Sequence, residues 1–199
     1  MKSLPLYAVS LLVATLLIAV IPTDAEAKIY EDTIRLHILA NSDTKEDQAL
    51  KLEIRDRILE KYGVMLSTSK SVDQAKNEME ELLQNIEQDA SVWIQELGYD
   101  YEARATLSEE WYDTREYEDF TLPAGYYTSL RVIIGDGDGK NWWCVMYPPL
   151  CTEIATERAP KDDFVIDYSR EEMSLIQGGK YNVKFKILED LSRVFSKNG

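Results

Sequence analysis

The chain holds one histidine, His37, and two cysteines, Cys144 and Cys151, so the nucleophilic and metal-binding pairings they allow can be enumerated. A zinc site of the Cys/His kind needs four ligands, which would draw on all three residues and a distant carboxylate. His37 reads instead as a polar strand residue. A thiol hydrolase would pair His37 with Cys144 or Cys151, yet no helix start follows either cysteine to hold a thiolate at neutral pH. The run Gly135-Asp136-Gly137-Asp138-Gly139 places two carboxylates one residue apart, like the start of a calcium loop. It lacks the later ligands, including the glutamate that closes an EF-hand. Lys140 is followed by Asn141 and not by Ser or Thr, so the run is not a phosphate loop either. It reads as a tight glycine turn joining two strands. Among 36 acidic residues no pair stands out as a glycosidase couple. No metal, cofactor or small-molecule substrate is expected from this inventory.

Trp142 and Trp143 follow the glycine run and point to opposite faces if the segment is extended. One belongs in the core. The other, beside Tyr147, has the makings of an interface anchor.

The elements that must position these residues can be read from periodicity. From Thr33 to Leu39, Ile34, Leu36 and Ile38 alternate with Arg35 and His37, which predicts a strand with one buried face. Asn41-Ser42-Asp43 then offers helix-capping oxygens, and Asp43 with Glu46 has capping-box-like spacing. The helix should run through Leu50, Ile54, Ile58, Leu59 and Tyr62 and stop at Gly63. A longer helix opens at Ser71 with Gln74 and closes at Gly98. Its apolar stripe includes Ala75, Met79, Ile86, Ala90 and Ile94. At roughly 1.5 Å per residue it is about 40 Å long, and it must lie on something apolar to persist. Alternation in Tyr101–Leu107, β-forming residues in Tyr127–Ile134 and the run Trp142–Tyr147 supply strands, with a turn at Pro123-Ala124-Gly125. The expected class is α+β: an antiparallel sheet with two or three helices on one face. The polar stretch after Cys151, through Pro160 and Gly178-Gly179, reads as loop, followed by a last helix from about Tyr181.

The N-terminus carries Lys2, then an apolar run from Leu4 to Ile21, then Ala25-Glu26-Ala27, which has small residues where a signal peptidase reads them. This predicts a signal segment 1–27 and a single extracytoplasmic domain 28–199. A retained anchor is the competing reading, because the run spans about 18 residues and a membrane helix needs roughly 20. Either way Lys2 stays in the cytoplasm and the rest of the chain lies outside. The net charge of −14, with no basic cluster, disfavours nucleic acid and anionic lipid surfaces. Outside the cytoplasm Cys144 and Cys151 can form a disulfide, which would stabilise by about 2.5 kcal/mol. Pro148-Pro149 favours an extended path that would keep them apart, so a disulfide and two buried thiols both stay open.

Two stretches carry a family resemblance. Ile34-Arg35-Leu36-His37-Ile38-Leu39-Ala40-Asn41-Ser42-Asp43, with Asp47-Gln48-Ala49-Leu50-Lys51 and Arg55-Asp56, resembles the N-terminal motif of the stage II sporulation protein R family. Pro123-Ala124-Gly125, Leu130-Arg131-Val132-Ile133-Ile134-Gly135, Gly137 to Gly139, Asn141-Trp142-Trp143-Cys144-Val145 and Pro148-Pro149-Leu150-Cys151 resemble its C-terminal motif. The resemblance implies a non-catalytic signalling protein of endospore formers, made in the forespore and exported between the two septal membranes. There it would activate a membrane-bound aspartic protease of the mother cell, which processes a sigma-factor precursor. Because the resemblance concentrates in turns and corners, the expected partner-binding residues are Asn41, Ser42, Asp43, Gly135, Gly137, Gly139, Asn141, Trp142 and Trp143. The rival classes are a cell-envelope thiol peptidase or wall hydrolase, and a wall-binding module. The spacer helix and the segment beyond Thr152 match no motif of the family.

Overall fold

The computed structural model describes residues 23–117, 120–149 and 168–177, with positions 7, 9–11 and 14. The chain divides into two compact units: Tyr30–Glu110 with Tyr126–Asp167, and Met1–Ile29 with Trp111–Gly125 and Tyr168–Gly199. The elements in order are α1 (Asp24–Glu31), β1 (Ile34–Leu39), α2 (Lys45–Ile58), α3 (Val72–Glu96), β2 (Ala103–Tyr112), β3 (Arg115–Glu116), β4 (Thr121–Leu122), β5 (Gly125–Ile134), β6 (Asn141–Tyr147) and α4 (Arg170–Gln177).

The class is α+β, but the sheet is mixed and not antiparallel throughout. Its order is β2-β5-β1-β6. β1 runs parallel to β5, with Leu36 opposite Leu130, and antiparallel to β6, with Leu36 opposite Cys144. β1 is therefore flanked on both edges, and all its residues but His37 are buried. The expectation of one buried face is corrected by this central placement, since even Arg35 is fully buried, its guanidinium 5.0 Å from the Tyr127 ring centroid.

Ile34, Leu36 and Ile38 join Leu130, Val132, Ile134, Cys144 and Met146 in one core with Ile54 and Ile58 of α2 and Met79, Ile86 and Ile94 of α3. α3 keeps its expected ends. Ser71 Oγ accepts from Gln74 N at 3.2 Å, and at the other end Tyr99 N donates to Ile94 O and Gly98 N to Gln95 O, with Gly98 at φ +88°. That is a Schellman closure, which needs the left-handed residue that glycine supplies.

Three local expectations change. α2 is capped not by Asn41, Ser42 or Asp43 but by Thr44, whose Oγ1 accepts from Asp47 N at 3.2 Å. Gly63 does not stop the helix: it sits at φ −61°, and the chain continues through a π-helical turn, Leu59–Gly63, into Val64–Leu66. Asp89 of α3 accepts from both Tyr62 Oη and Lys61 Nζ, tying that turn to its neighbour. In the other unit, residues 170–177, read as loop, form α4, opened by a reciprocal capping box. Ser169 N donates to Glu172 Oε2 at 2.7 Å and Glu172 N to Ser169 Oγ at 3.3 Å. The helix expected from Tyr181 lies outside the described residues.

Gly63, inside a helical run, and Gly98, just past the end of one, make opposite predictions. A Cβ on Gly63 would meet nothing nearer than 3.9 Å, so Gly63→Ala should stabilise by about 0.5–1 kcal/mol in denaturant unfolding. Gly98→Ala should destabilise by about 1 kcal/mol, because alanine resists a positive φ.

Candidate functional site

The parallel pairing of β1 with β5 decides where the two motif stretches meet. Both strands end at the same edge, Leu39 opposite Ile133, so Ala40–Asp43 and Gly135–Gly139 emerge side by side. An antiparallel arrangement would have sent them to opposite ends. The glycine run is not a tight turn between adjacent strands, because β1 lies between β5 and β6. The connection must straddle the exit of β1, a span of roughly 10 Å at two strand spacings.

Crossing there leaves six consecutive amides to satisfy, and each donates within the protein. Gly135 N donates to Glu102 O (2.9 Å), Gly137 N to Ile134 O (3.2 Å), Asp138 N to Asn41 O (3.1 Å) and Gly139 N to Ala40 O (2.9 Å). Asp136 N donates to Asn41 Oδ1 (3.0 Å) and Lys140 N to Asp43 Oδ1 (2.7 Å). No amide of the run is left to cradle an anion. The glycines permit the approach: a Cβ on Gly135 would lie 2.3 Å from Asn41 Oδ1, and one on Gly139 would lie 2.2 Å from the Ser42 carbonyl oxygen.

Behind this seam, Asp47 takes hydrogen bonds from Asn41 Nδ2 (2.9 Å) and Ser42 Oγ (2.6 Å). Burial pushes its carboxyl up, but Ser42, Asn41, Tyr101 and Thr44 together outweigh that, and its pKa falls below the usual aspartate value. Lys51, also buried, donates to Lys140 O and Gln48 Oε1, both at 2.7 Å. Burial pushes the Lys51 ammonium down, and Asp43 opposes it. Gln48 closes the circuit by donating to Ser42 O at 2.9 Å. Asp47, Gln48 and Lys51 stand in the quoted N-terminal motif, yet only the fold reveals what they do.

Of the expected partner-binding residues, Asn41, Ser42 and Asp43 thus spend their polar groups on the seam. Asn141 is exposed. Trp142 and Trp143 do take opposite faces, and both are half-buried. Trp142 packs against the helix-side core beneath the Arg55 guanidinium, 4.8 Å from the ring centroid. Trp143 stacks on His37 at 5.6 Å and 23°. Beside the seam an open cleft of about 480 Å³ is lined by Asn41, Asp100, Tyr101, Glu102, Arg104, Gly135 and Asp136.

On the sheet face away from α2 and α3, His37 Nδ1 lies 2.9 Å from Glu110 Oε2, and Arg131 Nε lies 3.5 Å from Glu110 Oε1. Burial pushes the Glu110 carboxyl up, while His37, Ser129 and Arg131 bring it below its ordinary value. Sequence reasoning missed Glu110, which sits 73 residues from His37 with no local pattern to mark it. Cys144 is disulfide-bonded. The other cysteine of the chain, Cys151, lies outside the described residues. The expected extended path at Pro148-Pro149 is a turn, and the Tyr147–Pro148 peptide is cis. His37 is opposite Trp143 in the ladder and Leu36 opposite Cys144, so the His37 and Cys144 side chains leave opposite faces. No Cys144–His37 couple forms. Among the described residues no cluster of His, Cys, Asp and Glu could hold a metal ion.

Fold and site define a small α+β protein organised around a polar seam between two parallel strand ends. Residues 30–157 match the family model described as Stage II sporulation protein R (spore_II_R). Over 121 residues the chain is 34% identical to Stage II sporulation protein R of Bacillus subtilis (strain 168), covering 61% of this chain and 54% of that one. The chain thus spans about half the length of this curated relative. No solved structure matches it significantly. The chain belongs to the stage II sporulation protein R family, and its role lies in sporulation.

Two variants test the seam. Gly139→Ala should destabilise by about 2 kcal/mol or more in denaturant unfolding, because its Cβ meets backbone and not a movable side chain. Asp47 is more acidic folded than unfolded, so its stabilising contribution is complete above the ordinary aspartate value, about 4. It is lost as pH falls through the lower folded value. Asp47→Asn should therefore lower stability at pH 7 and flatten the acid limb of stability against pH; an unchanged acid limb would contradict this account.

Proposed function

We propose that this protein is an exported sporulation signal that acts by binding. It leaves the forespore for the space between the septal membranes and activates a membrane-bound aspartic protease of the mother cell, which then processes a sigma-factor precursor. The observation carrying this reading is the convergence of both motif stretches on one braced seam, whose exposed flank offers Asp136, Asp138, Lys140 and Asn141. Such a surface keeps its shape without a ligand, so little ordering entropy is lost on docking.

A ligand activates a protease by preferring its active arrangement, and a tenfold shift needs only about 1.4 kcal/mol of differential affinity. The alternative of a thiol peptidase finds no support from Cys144, which is disulfide-bonded and directed away from His37. The wall-binding alternative has no observation in its favour.

The test is coexpression with the candidate protease and its precursor substrate in a non-sporulating host. The shortened product should form only when all three are present. Asn141→Ala and Trp143→Ala variants, exported and folded normally, should slow its formation at least tenfold. Wild-type rates in both would remove this surface from the account, and cleavage of the precursor without the protease would remove the binding mechanism.

A further inference from the structure

β2 is the last strand of its sheet, with β5 on one side and no strand among the described residues on the other. A bare edge of this kind presents a row of amides and carbonyls that can recruit another chain. Its first half is sealed. Ala103 N donates to Ser91 Oγ and Ala105 N to Glu87 Oε2, both at 2.9 Å, whereas Glu102 O accepts from Gly135 N on the β5 side. Ser91 and Glu87 are one turn apart on α3, a rise of about 6 Å, and the two amides are spaced by two strand residues, about 6.6 Å. The side chains of α3 therefore stand in for a missing strand.

The match does not continue. Strand geometry sends every second amide to the same edge, so those of Leu107 and Glu109 follow Ala103 and Ala105 outward. Among the described residues no acceptor meets either one. The next turn of α3 would have to supply it, and there Leu83 packs against the core while Gln84 stays exposed. By helical spacing Gln84 and Glu80 continue the stripe of Ser91 and Glu87, and Glu80 is exposed too. Lys76, one turn further, is drawn off to the Glu31 carbonyl at 3.1 Å. On the strand, Thr106, Ser108 and Glu109 are exposed. Arg104, the one cation of β2, sits at the sealed end and donates to Gly135 O at 3.4 Å. The unsealed half is thus a short edge flanked by carboxylates.

We propose that this edge, from Leu107 to Glu109, takes an extended basic segment of a partner protein as an added strand. Main-chain hydrogen bonds to the Leu107 and Glu109 amides supply the affinity, and lysine or arginine side chains of the segment meet Glu109 on the strand and Glu80 on the helix. The sealed half sets the limit of the pairing. Strand addition stops at Ala105, where Glu87 already holds the amide, so the added strand is short. A second copy of this chain is the wrong occupant, because it would bring two sets of these carboxylates into one groove.

The probe is the fluorescein-labelled peptide acetyl-Lys-Thr-Lys-Thr-Lys-Thr-amide, with a control in which glutamate replaces every lysine. The full chain is held in nonionic detergent, binding is read by fluorescence anisotropy, and the contact is located by residue-resolved hydrogen exchange. The basic peptide should saturate, slow exchange at Leu107 and Glu109 about tenfold or more, and bind at least about tenfold more tightly than the acidic control. Glu109→Pro should abolish binding with an unchanged unfolding midpoint, because that amide makes no bond to β5. Glu80→Lys, at an exposed helix position, should weaken the basic peptide about fivefold, and it keeps the test decisive if the proline variant does not fold. Absence of saturable binding, protection confined to other amides, equal affinity for the acidic control, or wild-type affinity in Glu80→Lys overturns the proposal. So does protection of the same two amides by self-association without peptide. No arm reads precursor processing, so the edge and the signalling role are judged separately.

Discussion

Six backbone amides in a row, from Gly135 to Lys140, cross over the end of a strand that lies between the two strands they connect. They sit where water reaches only part of the backbone, and an unmet buried donor costs about 1–3 kcal/mol. Most of the site follows from that requirement. Four of the six acceptors come from Ala40, Asn41 and Asp43. Their geometry is fixed by Asp47, which orients Asn41 and Ser42, and by Lys51, which holds the Lys140 carbonyl. Glycine at 135 and 139 is then a matter of clearance, because the strand exit leaves no room for a Cβ. Residues that looked like a display of polar side chains are mostly internal bracing.

The sheet has two chemically different sides. Toward the helices the strands present Leu36, Ile38, Leu130, Val132 and Met146, and the gain is nonspecific burial. On the other side stand Arg35, His37, Glu110, Ser129, Arg131 and Trp143. Paired and partly buried charges such as His37 and Glu110 add little net stability but discriminate strongly among registers, since a one-residue slip would drive them into the apolar core. The polar side thereby fixes the alignment on which the seam depends.

Much of the architecture was legible because it rests on local rules. α3 opens at Ser71 and closes at Gly98 where side-chain capping and positive φ demand it, and β1, β5 and β6 fall where alternation and β-forming residues place them, whereas β2 runs on to Tyr112, past the expected Leu107, and the short β3–β4 pair carried no signal. The family membership was legible too, from Asn141-Trp142-Trp143-Cys144 and its companions. Strand pairing was not. Whether β1 joins β5 in parallel depends on contacts some 90 residues apart, and alternation in either strand is blind to it. The same blindness turned a crossing into a hairpin, hid Glu110 from His37, and assigned capping to Asn41–Asp43 when Thr44 performs it. Gly63 misled for another reason: glycine is permitted, not obliged, to leave the helix. α4 was overlooked although Ser169 and Glu172 spell a capping box, because the surrounding stretch is polar.

The insertion of β1 between β5 and β6 also governs how the chain reaches its native state. β1 is made first, yet both its edges wait for segments that arrive near residues 125–147. Such distant pairings give a high contact order and slow folding. A nascent chain emerging N-terminus first therefore holds an apolar strand with two open edges through most of its passage, the condition in which strands find wrong partners. Assembly is deferred until the last third of the polypeptide has emerged, so a truncated product has no sheet centre to protect and is a ready substrate for quality-control proteolysis.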